Sequence, residues 1–296
     1  MRSLFFTALF IGLLALALGR RLTVPEPAPG TAAGRVMPIV RRIINPFQPP
    51  DSTKPIHTWT IDGSYAGPNQ EALGQLTARL PLLMNLAFID VAQRMGIERE
   101  GGFRYPLTIR FVDELPSGAE QRWAYVKLTS DLSGTRQDLY ANLEAYRRGS
   151  GYFDKAYLHE MGHVFLAEAI GPRAFSVLPV WFVEGMAMWS AEEGKPAVKA
   201  HILARLERFE TGAELLGPLE GERQMTRYPQ YYMAIEYISQ AKGPEALRQI
   251  IEDLAGGTEL KEALRNRLGE DWNVFKENVR RFSADYLRKV RAEIAV

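Results

Sequence analysis

Lys155 to Gly171 reads KAYLHEMGHVFLAEAIG. Its apolar residues recur at helical spacing, and the run stops at Gly171-Pro172, a glycine C-cap followed by a residue that cannot continue a helix. The spacing therefore predicts a helix over 153–170. In a helix, positions i and i+4 lie one above the other, so His159 and His163 can aim two imidazole nitrogens at one ion about 2.0–2.1 Å away. Glu160 is offset by about 100° on the same turn, beside the open position where a water would bind. A zinc-bound water has its pKa lowered toward about 7, and a neighbouring carboxylate can take its proton as it attacks a carbonyl. The chain has four histidines, His57, His159, His163 and His201, so half of them fall in this one motif. Gly162 costs a helix about 1 kcal/mol relative to Ala, which predicts the close approach of another backbone there.

Two histidines do not complete a catalytic zinc site; a third protein ligand is needed, with the fourth position left for water. An extended motif with Gly and His further along the same helix is ruled out, because those positions are Leu166 and Ala169. Glu184, 21 residues after His163 in LPVWFVEGMAMWSAEEG (178–194), is the best candidate. A short loop over 171–178 would return a second helix, 180–193, antiparallel to the first and bring this carboxylate to the ion from the opposite side. The competing reading is a first-turn glutamate facing the helix dipole. Gly185 and Ala187 flank Glu184 with small side chains, as a close helix crossing requires. His201 and His57 stand as substitutes for the third ligand.

At these residues the chain resembles the gluzincin metallopeptidases, and in particular the peptidase MA-like proteins. The resemblance rests on His159-Glu160-Met161-Gly162-His163 followed by Pro179 and Trp181-Phe182-Val183-Glu184-Gly185-Met186-Ala187. It continues more weakly through YYMAIEYISQAKGPEALRQII (231–251), and covers 140–282 in all. It implies a thermolysin-like catalytic fold, zinc held by His159, His163 and Glu184, and Glu160 as the catalytic carboxylate. It also implies an oxyanion donor drawn from a tyrosine downstream of the third ligand, where Tyr231 is the first choice and Tyr232 the second. Tyr231 shares a stripe with Ala234, Ile235 and Ile238, so it could equally belong to the core. One departure stands out: thermolysin-like members carry an Asp four residues after the ligand Glu, and that position here is Met188.

Before the motif, the pattern is that of a mixed α/β part over 54–152. A strand is predicted over 57–61, a helix over 69–95 with a kink at Pro81, and strands over 106–112 and 123–128. The segment 138–146 alternates Leu139, Ala141, Leu143 and Ala145 and reads as a strand, although NLEAYRR alone would suit a helix. After it, helices over 153–170, 180–193, 196–209, 228–241, 244–254, 258–268 and 271–294 make a helical part spanning 153–296. The fold class expected is α+β.

The N-terminal 53 residues read as outside this body. Arg2 precedes an apolar run over 4–18, which as a helix would be about 22 Å long against a hydrocarbon core of roughly 30 Å. That is the pattern of an export signal over 1–19, with an uncleaved membrane anchor as the alternative because Arg20 and Arg21 follow at once. Seven of the chain's 18 prolines lie in 22–51, so 20–53 reads as a spacer.

Composition sets the remaining bounds. With 46% hydrophobic and 24% charged residues the chain is ordinary globular protein, and a formal net charge of +1 gives no field that would draw it to nucleic acid. The absence of cysteine excludes disulfides, thiol nucleophiles and Cys-ligated metals. The expected function is a zinc metallopeptidase, an endopeptidase since no Gly-x-Met-Glu-Asn motif precedes His159, acting on peptide or protein outside the cytoplasm. The alternative is a peptidase-like module that holds polypeptide without cutting it.

Overall fold

The computed structural model describes residues 58–97, 102–115, 123–131, 134–192 and 228–294. The predicted export segment and spacer, the helix expected over 196–209, and His57 and His201 lie outside these residues.

Among the described residues the strands are β1 (Trp59–Ile61), β2 (Leu107–Val112), β3 (Ala124–Asp131) and β4 (Gly134–Asn142), in the order β1-β2-β4-β3. β1 and β4 both run parallel to β2, while β3 pairs antiparallel with β4, so the sheet is mixed. Leu107, Ile109 and Phe111 alternate inward along β2 and meet Leu139 and Ala141 of β4 and Ala124 of β3 on the buried face. Helices cover that face.

Between β1 and β2 runs α1 (Gln70–Leu86), which buries Leu76, Leu80, Leu83 and Met84 and is followed by a π-helical stretch, Ala87–Ala92. The kink expected at Pro81 does not divide the element: the α-helix continues through it, and the change in geometry comes at Ala87. Pro81 and Leu82 are on the exposed side, where solvent can reach the carbonyl that loses its donor, while the buried stripe continues past them. The strand expected over 138–146 is also corrected. β4 ends at Asn142, whose side chain accepts a hydrogen bond from the Ala145 amide and caps α2 (Leu143–Arg148). Glu144, paired with Arg147 and Arg148 three and four residues on, supports that helix.

α3 (Ser150–Ile170) carries the His-Glu-Met-Gly-His motif and crosses under the sheet. It ends at Gly171, where φ is +83°, and the stretch expected as a loop is a short helix, α4 (Pro172–Val177), with Pro172 in its first turn. α5 (Val180–Ser190) follows, and nine of its 11 residues are buried. It stops at Ser190 rather than Glu193, and Glu192 beyond it is left-handed, with φ +57°. The remaining described helices are α6 (Tyr228–Lys242), α7 (Pro244–Ala255), α8 (Leu260–Leu268) and α9 (Trp272–Ile294). One contiguous core runs from Leu107 and Leu139 of the sheet through Tyr157, Val164 and Phe165 of α3 to Trp181 of α5 and Phe275 of α9. The described residues thus form an α+β structure with a small mixed sheet and a majority of helix, and the described portions of its two sequence-level parts share that core.

Two polar contacts hold the ends of α3 against the rest. Glu168, fully buried, accepts the Arg104 and Tyr105 amides at 2.5 and 2.9 Å and the Gln137 side-chain amide at 2.8 Å, tying α3 to the entry of β2 and to β4. Asp154 pairs with Arg79 and ties the helix start to α1.

Candidate metal centre

The motif sits in the middle of α3 with both histidine rings turned toward α5. Their centroids are 4.9 Å apart and the planes are at 85°. From α5, Glu184 Oε2 comes to 3.3 Å from His159 Nε2 and 3.7 Å from His163 Nε2. All three side chains are buried, and one ligand atom from each lies within 4.8 Å of the others. This group could bind a metal ion.

The distances suit that use. Four ligands placed tetrahedrally at about 2.0–2.1 Å from an ion are about 3.3–3.4 Å from one another, close to the observed separations. A buried carboxylate facing two imidazoles is costly without a compensating charge, and a divalent cation supplies one while engaging all three donors.

The helix crossings that bring Glu184 into place are set by glycines. A Cβ at Gly162 would lie 2.8 Å from the Cα of Ala187, so α3 and α5 touch backbone to backbone, as the mid-helix glycine predicts. A Cβ at Gly185 would lie 2.5 Å from the carbonyl oxygen of Tyr231. Gly185 thus serves a different crossing, between α5 and α6, and only Ala187 of the two small residues faces α3. At the start of α5, Trp181 packs on Trp272 and Phe275 of α9, with centroids 5.9 and 5.8 Å apart.

Glu160 points to the sheet. Its Oε2 accepts the backbone N–H of Val126 on β3 at 2.9 Å, and its side chain is buried. The tyrosines separate clearly. Tyr228, half-buried at the start of α6, stacks on His159 with centroids 6.3 Å apart and planes at 20°. Tyr231 is fully buried, and its ring is 6.0 Å from that of Tyr228, one aromatic ring removed from the histidine. Tyr232 bonds to Glu236 and has Tyr286 and Arg94 about it; burial, then that carboxylate, push its hydroxyl pKa well up. Met188 is buried in the core and brings no carboxylate to orient a histidine.

Of the residues expected from sequence, His159, His163 and Glu184 are brought together, Glu160 turns from the same helix to β3, Tyr231 stands behind Tyr228, and Tyr232 lies beside Glu236. Two neighbours of these residues were missed. A backbone donor such as Val126 N–H leaves no trace in residue type; Tyr228 could have been found, since it lies three residues before Tyr231 on the same helix face.

Compared with protein-family models, with curated proteins and with solved structures, the chain gives no match.

Proposed function

We propose that the chain is a zinc metallopeptidase of gluzincin, peptidase MA-like type with a thermolysin-like catalytic fold, acting as an endopeptidase outside the cytoplasm. The observation that carries this reading is the convergence of His159, His163 and Glu184 from two successive helices, with Glu160 on the same helix as the histidines and turned to a strand edge. Two imidazoles and one carboxylate with a fourth position left open is the donor set of a hydrolytic zinc site. His159, His163 and Glu184 would hold the zinc, which would supply Lewis acidity to the hydrolysis.

The protein groups do the rest. Glu160 accepts the proton of the attacking water and delivers it to the leaving amine, which makes it general base and then general acid. Tyr228 is the tyrosine best placed to donate a hydrogen bond to the developing oxyanion, ahead of Tyr231 behind it. β3 is at the edge of the described sheet, and an extended peptide can pair along it by strand addition. Export is supported by Arg2 and the apolar run over 4–18, with membrane attachment through that segment as the alternative.

The test is elemental analysis of the purified protein together with cleavage of an unfolded casein-like substrate, with and without chelator. One zinc per chain and chelator-sensitive cleavage support the proposal. Zinc without cleavage would replace it with a polypeptide-binding module, and absence of both would remove the metal reading.

A further inference from the structure

The antiparallel pairing of β3 with β4 determines which way each β3 amide points. Asn142 N–H donates to the Trp123 carbonyl at 3.0 Å, and the register pairs Ala124 with Ala141 and Val126 with Leu139. In an antiparallel ladder hydrogen-bonded pairs alternate, so Tyr125, Lys127 and Thr129 turn their backbone groups to β4. Ala124, Val126, Leu128 and Ser130 turn theirs to the open side. The Glu160 carboxylate meets β3 on that side and accepts the Val126 N–H at 2.9 Å.

We propose that the Val126 backbone N–H is a positioning donor for Glu160, and that this contact sets where along β3 a substrate is cut. The proposal rests on the peptidase reading. A glutamate side chain has three rotatable bonds, and one charge-assisted hydrogen bond from a rigid strand removes most of that freedom while α3 fixes its Cα. The carboxylate is then held at the strand edge. Successive outward residues on a strand are about 7 Å apart, so an incoming extended peptide finds ladder positions at Ala124 and Leu128 on either side of Val126. At Val126 the donor is engaged by Glu160, so the peptide backbone there meets the carboxylate in place of a ladder amide. The scissile bond is thereby placed opposite Val126.

Two measurements on the full chain test this. Backbone amide exchange by NMR should show the Val126 N–H protected in the parent protein and exchanging at least tenfold faster in Glu160→Ala, with the Ala124 and Leu128 amides unchanged. Equal Val126 exchange in the two proteins would overturn the proposal, whether or not the chain is a peptidase. In steady-state cleavage of a casein-derived peptide, Val126→Pro removes the amide at a position that lends no hydrogen bond to the ladder. It should lower kcat by about 10²-fold with KM within about threefold, because misplacement of a reacting group by an ångström costs of that order. The melting temperature of Val126→Pro, which should stay near the parent's, controls for proline strain. A Val126→Pro protein with the parent kcat would overturn the proposal. If Val126→Pro does not fold, the exchange of Glu160→Ala decides. A parent protein that cleaves nothing sinks the peptidase reading, while the exchange measurement still decides the Val126 contact.

Discussion

Gly162 of α3 rests directly on Ala187 of α5: a Cβ at position 162 would lie 2.8 Å from the Ala187 Cα and 3.0 Å from the Ser190 hydroxyl. The contact lies one residue from His163 and three from Glu184, so it sets the separation of the two histidines from the carboxylate. Gly162→Ala should push α5 away, costing about 1–3 kcal/mol of stability as overpacking does, and should weaken zinc binding as well. Gly151→Ala is the control. No atom lies within 4 Å of a Cβ there, so this change should leave metal binding alone and raise stability by up to about 1 kcal/mol. Thermal melts and zinc titrations on the two variants check both statements; tight zinc binding in Gly162→Ala would mean that the crossing does not set the site.

The same contact shows how much of the site could be read in advance. Helical spacing is local, so His159 and His163 on one face, Gly162 as a close approach and the Gly171 stop all followed from neighbouring residues. Glu184 followed from a short return between helices, which constrains geometry almost as tightly. Other features depend on distant partners. Which tyrosine faces His159 is set by where α6 crosses α5 at Gly185, a contact between positions 185 and 231 that no local pattern reveals. The helix that NLEAYRR alone would suit was outweighed by the alternation of Leu139 to Ala145, because alternation and helix spacing coincide over so short a run, and the Asn142 cap marks the switch.

Glu184→Ala should lose most of the bound metal, since two imidazoles alone leave the ion under-coordinated. The parent protein should also melt lower after chelation, because a ligand present at about 1,000 times its Kd contributes about 4 kcal/mol of stability. In Glu184→Ala the chelator should have almost no effect on the melting temperature. Parent-level zinc in this variant would move the third ligand to His201 or His57.

Glu160→Gln separates chemistry from metal holding. The amide occupies the volume of the carboxylate and can still accept the Val126 N–H, but it cannot take a proton from water. Zinc content and melting temperature should stay near those of the parent, and peptide hydrolysis should fall by about 10³-fold or more. Turnover equal to the parent's would end the assignment of Glu160 as the base.

A pH effect on stability is expected at the far side of α6. Tyr237 donates to Glu270 at 2.7 Å, and burial, then this carboxylate, push its pKa up to about 12 from an ordinary value of about 10. The folded protein therefore keeps a proton that the unfolded chain releases. The stability from this group is fully present below about pH 10 and is lost as the pH rises toward about 12. Burial also raises Tyr157 and Tyr232, so the informative quantity is the difference between the parent and Tyr237→Phe. Urea midpoints between pH 9 and 11.5, about the span of that titration, should fall less steeply in Tyr237→Phe, and parallel slopes would show that Tyr237 is not held protonated.

The tyrosines around His159 can be assigned by comparing three phenylalanine variants. If Tyr228 donates to the oxyanion, the bond forms fully only in the transition state, so Tyr228→Phe should lower kcat by about 10²–10³ with little change in KM. The ring remains, so its stacking on His159 and the zinc content should persist. Tyr231 is the competing candidate; if it serves only the core, Tyr231→Phe keeps the packing and should shift stability by about 1 kcal/mol while turnover stays close to the parent's. Tyr232 points about 100° from Tyr231 on the same helix and bonds to Glu236, so Tyr232→Phe should leave kcat unchanged. A loss of kcat in Tyr231→Phe with normal turnover in Tyr228→Phe would reverse the assignment and require α6 to rotate toward the metal when substrate binds. Normal turnover in both would place the oxyanion donor outside α6.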